Sequence, residues 1–188
     1  KSPGIGSEIA TLTATRTISD FERVLKKDIQ YKESSLTYAN ATFKWGTTKK
    51  TSHIQLMQSL DEGKSWVKAS AHIDHKKSTA TVSNLVANKL YAFRLLITEG
   101  TKKDTSNSAY FYSGKMDIKD FGVSADGRED NTESINKAIA YLNQLGGGTL
   151  LFSQGTYNVR TIHLKSNVYL YISKNATIKA IKGADARE

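Results

Sequence analysis

Six carboxylates lie at positions 117–133, of which five are considered as candidates, because a pair of carboxylates can act as the general acid and general base of a hydrolytic reaction. Their spacing places them around a short predicted strand and the start of a predicted helix. There, carboxylates form turns and offset the positive end of the helix dipole. We therefore interpret all five as structural residues: Asp117, Asp120, Asp126, Asp130 and Glu133.

A metal site is the second chemistry to consider, because His72 and His75 flank Asp74. Side chains on a strand alternate between faces, so the two histidines point apart unless a turn intervenes. We interpret this segment as a solvated loop. Gly146 to Gly148 follow a predicted helix and precede a strand, the reverse of a phosphate-binding loop. The residues therefore assign no catalytic, cofactor-binding or metal-binding site, and we expect no cofactor.

The composition is that of a globular protein. The chain has 188 residues, of which 38% are hydrophobic, with one proline and no cysteine. This length suits one large or two small domains. No apolar run approaches the roughly 18 residues of a membrane span, and without cysteine there is neither a disulfide framework nor a thiolate nucleophile.

The positive charge is concentrated in the first part of the chain. The net charge is +9, with +7 in residues 1–114 and +2 in residues 115–188. Such a field attracts polyanions without selecting among nucleic acid, anionic lipid and acidic polysaccharide. Tyr38 and Trp45 lie on one predicted strand, which places their rings in a core and not on a base-stacking surface. We therefore do not expect nucleic acid as a partner.

Residues 1–114 have the pattern of an antiparallel β-sandwich, with short strands separated by turns. The exception is Ser19–Lys27, whose cap at Ser19 and apolar spacing predict a short helix or turn inserted after the first strand. A tight hairpin loop is expected at residues 61–63. The predicted strands begin with Ile9, Leu12 and Ala14, continue through residues 35–46, and then cover His53–Ser59, Ser65–Ala71, Thr79–Leu85, Leu90–Thr98 and Ser108–Tyr112.

Three stretches, LTYANATFKW, IQLMQSLDEGKSWVKAS and TATVSNLVANKLYAFRLLI, resemble the fibronectin type III module over about Glu8–Tyr112. The resemblance makes Trp45 the core tryptophan between the two sheets and Tyr91 the corner tyrosine, six residues after Leu85. We predict a sandwich core built on Trp45, Leu85, Tyr91 and Phe93.

The pattern changes at Lys115. Asp117–Val123 leads into a turn-rich segment at 124–131, and Thr132–Leu145 has the apolar spacing of an amphipathic helix. Asp130 and Glu133 are expected to cap this helix, and the three glycines end it. Four strands are predicted to follow, and the core is expected on Ile135, Ile139, Leu142, Phe152, Leu164 and Leu170; the strands cover Thr149–Phe152, Thr156–Leu164, Asn167–Ile172 and Ala176–Ile181.

Residues Asp117–Ile181, with GGGT, GTY, IHLKSNV and ATI, closely resemble the opening of right-handed parallel β-helix enzymes that act on pectin. IHLKSNV followed by ATIKAIKGAD looks most like glycoside hydrolase family 28, the polygalacturonases. The resemblance implies that the helix caps the solenoid, that His163 and Lys165 serve rung packing and the turn, and that bacterial members can carry a fibronectin-type module in front. Asn131 departs from the family pattern, which often has a second acidic residue there.

A solenoid needs about three or more coils to form a continuous core. The strands after the predicted helix supply between one and two, so we expect 1–114 to be a sandwich domain and 115–188 to be the cap and first coils of a truncated β-helix. The family's catalytic aspartates lie on later coils. This chain alone is therefore expected to be inactive, with the remainder of its own β-helix as a partner.

The resemblance implies a pectin-degrading glycoside hydrolase that acts on α-1,4-galacturonosyl or rhamnogalacturonan linkages. Its expected partner is an acidic plant polysaccharide, and its expected location is secreted or periplasmic in a bacterium. A polysaccharide lyase on the same scaffold, and a non-catalytic carbohydrate-binding or surface adhesion module, are the two alternatives.

Overall fold

The structure is a computed structural model that describes residues 18–25, 38–46, 53–99 and 101–183. Most regular structure in these ranges is β, with one α-helix and a 3-10 helix. The strand predicted to begin at Ile9 lies outside the described residues. In the part of the chain that the structure describes, no helix combines the length and hydropathy needed to span a bilayer.

The strands up to Tyr112 form two antiparallel sheets. Their bounds are β1 (Glu22–Arg23), β2 (Ala41–Lys44), β3 (His53–Ser59), β4 (Val67–Lys68), β5 (Ala71–Asp74), β6 (Thr79–Val82), β7 (Leu90–Glu99), β8 (Lys102–Thr105) and β9 (Ala109–Tyr112). One sheet has the order β1-β2-β6-β5. The other has the order β4-β3-β7-β8, with β9 also paired to β7. This is the strand arrangement of immunoglobulin-like sandwiches.

Aromatic side chains fill the core between these two sheets. Phe43 stacks on Phe21 with a centroid distance of 5.2 Å and lies 4.8 Å from Phe93. The four predicted core residues are all buried, and Trp45 is only 6% exposed. The Tyr91 hydroxyl accepts a hydrogen bond from the Val86 N–H at 3.0 Å. The prediction of a corner tyrosine is therefore confirmed.

The predicted helix over Ser19–Lys27 is wrong for the residues that the structure describes. Glu22 and Arg23 form strand β1, which pairs antiparallel with β2. Phe21 enters the sandwich core, and its N–H and C=O are both bonded to the side-chain amide of Asn107. Burial of Phe21 and this pairing with the sheet override the local helical spacing.

The remaining strand predictions for the sandwich differ from the structure mainly at their ends. His53–Ser59 is confirmed, whereas Ser65–Ala71 is divided into β4 and β5, and β8 was not predicted. The hairpin loop is confirmed, because β3 and β4 pair antiparallel and both Glu62 and Gly63 have positive φ.

After Tyr112 the strand pairing becomes parallel. The elements are β10 (Lys115–Asp117), a 3-10 helix (Ile118–Phe121), β11 (Asp126–Asp130), α1 (Thr132–Gln144), β12 (Gly148–Phe152), β13 (Gly155–Val159), β14 (Val168–Ile172) and β15 (Ala176–Ala180). Two three-stranded sheets result, β10-β12-β14 and β11-β13-β15, so the chain passes alternately from one to the other. Thr149 pairs with Tyr169 and Gly155 with Ala176, so after the helix the chain returns to the same sheet every 20 or 21 residues. The circuit that contains α1 is longer, because Lys115 pairs with Thr149.

Strand β11 corrects the prediction of a turn-rich segment at 124–131. It pairs with β13, so the parallel arrangement begins before the helix and not after it. Helix α1 connects β11 to β12. The Asn136 and Asn143 side chains bond to the backbone of the loop between β13 and β14, and this joins the helix to the next passage of the chain.

A second hydrophobic core lies between the two parallel sheets and the helix. Ile135, Ile139, Leu142 and Phe152 are fully buried there as predicted, and Leu170 is half-buried. The prediction for Leu164 is wrong, because this side chain is 70% exposed. Strand β13 ends at Val159, and Leu164 lies in the loop that follows.

The structure confirms the prediction that the glycines end α1, but it corrects the prediction that Asp130 and Glu133 cap its start. Asn131 is the N-cap residue, the Asp130 carboxylate accepts hydrogen bonds from Thr132, and Glu133 pairs with Lys137. Asp130 and Glu133 therefore do not form the predicted reciprocal cap. At the other end, the N–H groups of Gly146 and Gly147 bond to the carbonyls of Asn143 and Leu142, as in a Schellman motif.

Asn131 is buried, with 4% of its surface exposed, and its amide acts as a donor. It bonds to the carbonyl oxygens of Ser124 at 2.8 Å and Glu129 at 3.4 Å. A carboxylate here would place its negative charge against two carbonyl oxygens. The hydrogen bonds thus explain why this chain has an amide at the position where it departs from the family pattern.

We predict that Trp45→Ala lowers the free energy of unfolding by about 3–5 kcal/mol, because a buried aromatic side chain is lost. The matched control is Trp66→Ala, since Trp66 is only half-buried and stacks against Arg94 at the surface. The loss in the free energy of unfolding for Trp66→Ala should be less than half of the loss for Trp45→Ala. Urea unfolding curves measure both, and a loss below about 1 kcal/mol for Trp45→Ala would contradict the sandwich register.

We also predict that Asn131→Asp costs about 1–3 kcal/mol at neutral pH, because the new carboxylate cannot donate to the Ser124 carbonyl. Burial without donors raises the pKa of a carboxyl group above its unfolded value of about 3.9, so the deficit relative to wild type should shrink as the pH falls through the raised pKa to about 4. The control is Asn143→Asp, whose amide makes an exposed bond to Ser166. Equal losses in the two variants at all pH values would refute this role of Asn131.

Candidate functional site

Three of the five carboxylates considered above are held by local contacts. The Thr132 hydroxyl and N–H and the Arg160 guanidinium donate to Asp130 and lower its pKa to about 2. The Arg128 N–H is the largest of several contacts that lower the pKa of Asp126. Glu133 forms an ion pair with Lys137, four residues later on the helix. These three carboxylates are occupied in a turn, a helix start and a helix surface.

The other two carboxylates, Asp117 and Asp120, line a cleft of about 530 Å³ between the sandwich and the parallel sheet that contains β10. The sandwich side contributes Tyr38 and the turn at residues 87–88. The other wall carries Lys115 and Leu151, and the connection between the two parts, residues 112–114, completes the lining.

Lys115 is placed by two aromatic rings. Its Nζ lies 4.4 Å from the ring centroid of Tyr171, which is on β14, and 5.8 Å from that of Tyr38. Both are cation–π distances, at which the ring faces attract an ammonium group. None of the ion pairs found among the described residues includes Lys115.

The cleft carboxylates differ in their environments. One oxygen of Asp117 accepts hydrogen bonds from the Lys119 N–H at 2.9 Å and the Ser153 hydroxyl at 3.1 Å, which fix its orientation. Asp120 is exposed to solvent. Burial, with a smaller contribution from the negative charge of Asp120, raises the pKa of the Tyr112 phenol above its ordinary value.

The connection between the sandwich and the parallel sheets is short and firmly bonded. Only Ser113 and Gly114 separate β9 from β10, and both are buried. The Ser113 hydroxyl bonds to the Val86 carbonyl and accepts from the Lys89 N–H, while the Asn88 N–H bonds to the Ser113 carbonyl. The turn that forms one wall of the cleft is thereby attached to the connection.

Arg23 makes a second contact between the two parts. From the sandwich, its guanidinium donates to the carbonyl oxygens of Gly147 at 2.9 Å and Gly146 at 3.2 Å, just beyond the end of α1. The same group bonds to the Tyr110 carbonyl and lies 5.3 Å from the Phe111 ring centroid. The two parts are therefore joined by Arg23, while Ser113 attaches the connecting residues to the sandwich wall.

The histidine segment has the geometry of a strand followed by a turn. His72 is exposed on β5, and the Asp74 carboxylate accepts from the N–H groups of Lys76 and Lys77. These bonds lower the pKa of Asp74. Within the described ranges, no group of three or more His, Cys, Asp or Glu side chains has the geometry to hold a metal ion.

The sequence did not identify this cleft. Tyr38 was expected in the sandwich core, but it precedes β2, is half-buried and faces the cleft. Tyr38 and Tyr171 are far apart in the chain, and Lys115 was recognised only as the point where the pattern changes. Chemically, the cleft combines aromatic faces, one ammonium group and two carboxylates, a set that suits a polar ligand with flat apolar surfaces.

Comparison with known protein families confirms the resemblance inferred from Asp117–Ile181. Residues 115–186 match the family model described as rhamnogalacturonase A/epimerase, pectate lyase-like. This is the region in which the two parallel sheets and helix α1 are found.

Several known proteins are similar to parts of the chain. Plasmin and fibronectin-binding protein A of Streptococcus pneumoniae is 34% identical over 107 residues, which are 56% of this chain and 14% of that protein. Alginate lyase 7 of Azotobacter vinelandii is 33% identical over 83 residues, 39% of this chain and 10% of the lyase. A crystal structure of an exopolygalacturonase from Thermotoga maritima is similar over 37% of this chain and 15% of the exopolygalacturonase chain, with 40% identity and a TM-score of 0.35. The chain thus spans 15% or less of these three proteins.

We predict that Arg23→Ala loosens the contact between the two parts, because its hydrogen bonds to both glycine carbonyls are lost. Small-angle X-ray scattering should show a larger radius of gyration, and limited proteolysis near Gly114 should become several-fold faster. Arg128→Ala, a change of an exposed arginine that makes no such contact, is the control. Unchanged scattering and cleavage in Arg23→Ala would show that the Ser113 contacts are sufficient.

Proposed function

We propose that this chain is the N-terminal part of a polysaccharide-degrading enzyme, with a fibronectin type III-like domain at 1–114 and the first coils of a right-handed parallel β-helix at 115–188. One observation carries the proposal: the residues that match the pectate lyase-like family model are those in which strands alternate between two parallel sheets. The two separate hydrophobic cores support the division into domains.

Within this class we propose a polygalacturonase-like hydrolase acting on α-1,4-galacturonosyl or rhamnogalacturonan linkages. The description of the matching family model names rhamnogalacturonase A/epimerase, and the resemblance of the IHLKSNV segment to polygalacturonases supports a hydrolase of this class. Inverting hydrolysis of a glycosidic bond needs a carboxylic acid and a carboxylate about 6.5–9.5 Å apart across the bond. Asp126, Asp130 and Glu133 are engaged in local contacts, Asp117 is held by Lys119 and Ser153, and Asp120 is exposed to solvent, so we place the catalytic pair on coils outside this chain.

Two alternatives are each supported by a relative. The similarity to alginate lyase 7 favours cleavage by β-elimination on the same scaffold. The similarity to plasmin and fibronectin-binding protein A favours a surface protein that binds without catalysis. Both relatives are bacterial, and this supports the proposal that the protein is a bacterial one. Its proposed location is secreted or periplasmic.

Product analysis distinguishes the three functions. The protein that carries this chain together with its later coils should release reducing ends from polygalacturonate without an unsaturated product that absorbs in the ultraviolet. The purified 188-residue chain should release none. An unsaturated product would identify a lyase, and binding without any product would identify an adhesion module.

Variants locate the catalytic residues. Asp126→Asn and Asp130→Asn in the complete protein should change thermal stability and leave turnover nearly intact, because both carboxylates are held in turns. Turnover by the 188-residue chain alone, or a thousandfold loss in either variant without unfolding, would place the active site within these residues.

A further inference from the structure

We propose that the cleft between the sandwich and the parallel sheet binds one uronic-acid unit of an acidic polysaccharide, with Lys115 as the cation that contacts its carboxylate. The class of ligand rests on the proposed function, whereas the position of the site rests on the cleft itself. The site is separate from the catalytic carboxylates placed on later coils.

The first support is the unusual way in which Lys115 is held. An ammonium group has three donors and no acceptor. Here the group is attracted by the faces of Tyr171 and Tyr38, and among the hydrogen bonds and ion pairs of the described residues none uses its Nζ. The aromatic rings therefore fix the charge while its N–H donors remain available. A ligand carboxylate is the group that would use them best, because hydrogen bonds between ions are the strong ones.

The second support is the apolar surface beside this charge. Tyr38, Tyr112 and Leu151 all line the cleft and are all half-buried. Binding sites for small ligands combine such apolar walls with a few polar groups that set orientation. A pyranose ring has the same combination, with C–H groups on its faces and hydroxyl groups around its edge.

The cleft carboxylates limit how many charges the ligand can carry. Asp117 and Asp120 can accept hydrogen bonds from sugar hydroxyls, and Asp117 is already oriented by Lys119 and Ser153. With Lys115 the three groups have a net charge of −1, so several ligand carboxylates side by side would be repelled. The site therefore suits a single uronate unit and not a long run of charged units lying in the cleft.

The third support is that the walls are fixed before a ligand arrives. The guanidinium of Arg23 bonds the sandwich to the segment after α1, and the hydroxyl of Ser113 bonds the connecting residues to the sandwich. Binding to a formed cleft avoids the entropy cost of bringing two domains together. A loosely tethered sandwich would lack this advantage.

Titration of the 188-residue chain with digalacturonic acid tests the proposal, followed by chemical-shift changes and calorimetry. Wild-type protein should bind with shifts at Lys115 and Tyr112. Lys115→Gln should bind about tenfold more weakly, and Lys115→Arg should recover much of the loss. The matched control is Lys76→Gln, which removes the same charge from an exposed turn outside the cleft.

The outcomes separate a cleft site from general attraction to the basic sandwich. Equal weakening by Lys115→Gln and Lys76→Gln, or equally tight binding of neutral digalactose, would overturn the proposal. No binding by wild-type protein would do the same. None of these results bears on the proposed function, which is decided by the products of the complete protein. Unfolding curves of Lys115→Gln that match those of wild type show that the loss is not one of folding.

Discussion

The contact of Arg23 with the carbonyls of Gly146 and Gly147 is the interaction on which the arrangement of the two parts depends. The last carbonyl groups of a helix have no partner within the helix and carry its negative partial charge. The glycines after α1 turn the chain with positive φ, and their N–H groups bond to the last helical carbonyls. The carbonyls of Gly146 and Gly147, just beyond the helix, then accept hydrogen bonds from the Arg23 guanidinium on the sandwich. The same contact fixes the cleft, whose walls come from both sides.

The parallel part is stabilised differently, because its strands alternate between two sheets that share one hydrophobic core. Each passage between the two sheets uses side chains that point into one shared core, and α1 replaces one of the connecting loops. Asn136 and Asn143 bond the helix to the backbone of the loop in the next passage, so the helix and that loop are ordered together. This explains why Leu164 can be exposed although its loop is well attached. The hydrogen bonds, and not burial of the leucine, hold the loop in place.

The sequence predicted the elements that depend on local patterns and missed those that depend on contacts between residues far apart in the chain. Periodicity found α1 and the strands that alternate strongly, whereas the core roles of Trp45 and Tyr91 were implied by the resemblance to the fibronectin type III module. It failed at β1, where burial of Phe21 outweighs a helical spacing, and at β11, whose charged residues DGRED give no strand pattern. The cleft was missed for a third reason. It depends on Tyr38 and Tyr171 meeting at Lys115, and nothing local in the sequence records a contact between residues so far apart.

The net charge of the sandwich and the net charge of the groups that line the cleft have opposite signs. The sandwich carries most of the net positive charge, and a field of this kind increases the rate at which a polyanion arrives but is screened by salt and does not select among polyanions. In the cleft the balance is reversed, with one lysine facing two carboxylates. A polyanion with several neighbouring carboxylates is not bound more tightly in the cleft, because Asp117 and Asp120 repel its additional negative charges. Selection therefore requires a ligand whose charge is limited to one group and whose remaining edge is hydroxyl. In the proposed site, the net positive charge of the sandwich would attract acidic chains, and the geometry around Lys115 would select the unit of such a chain that binds.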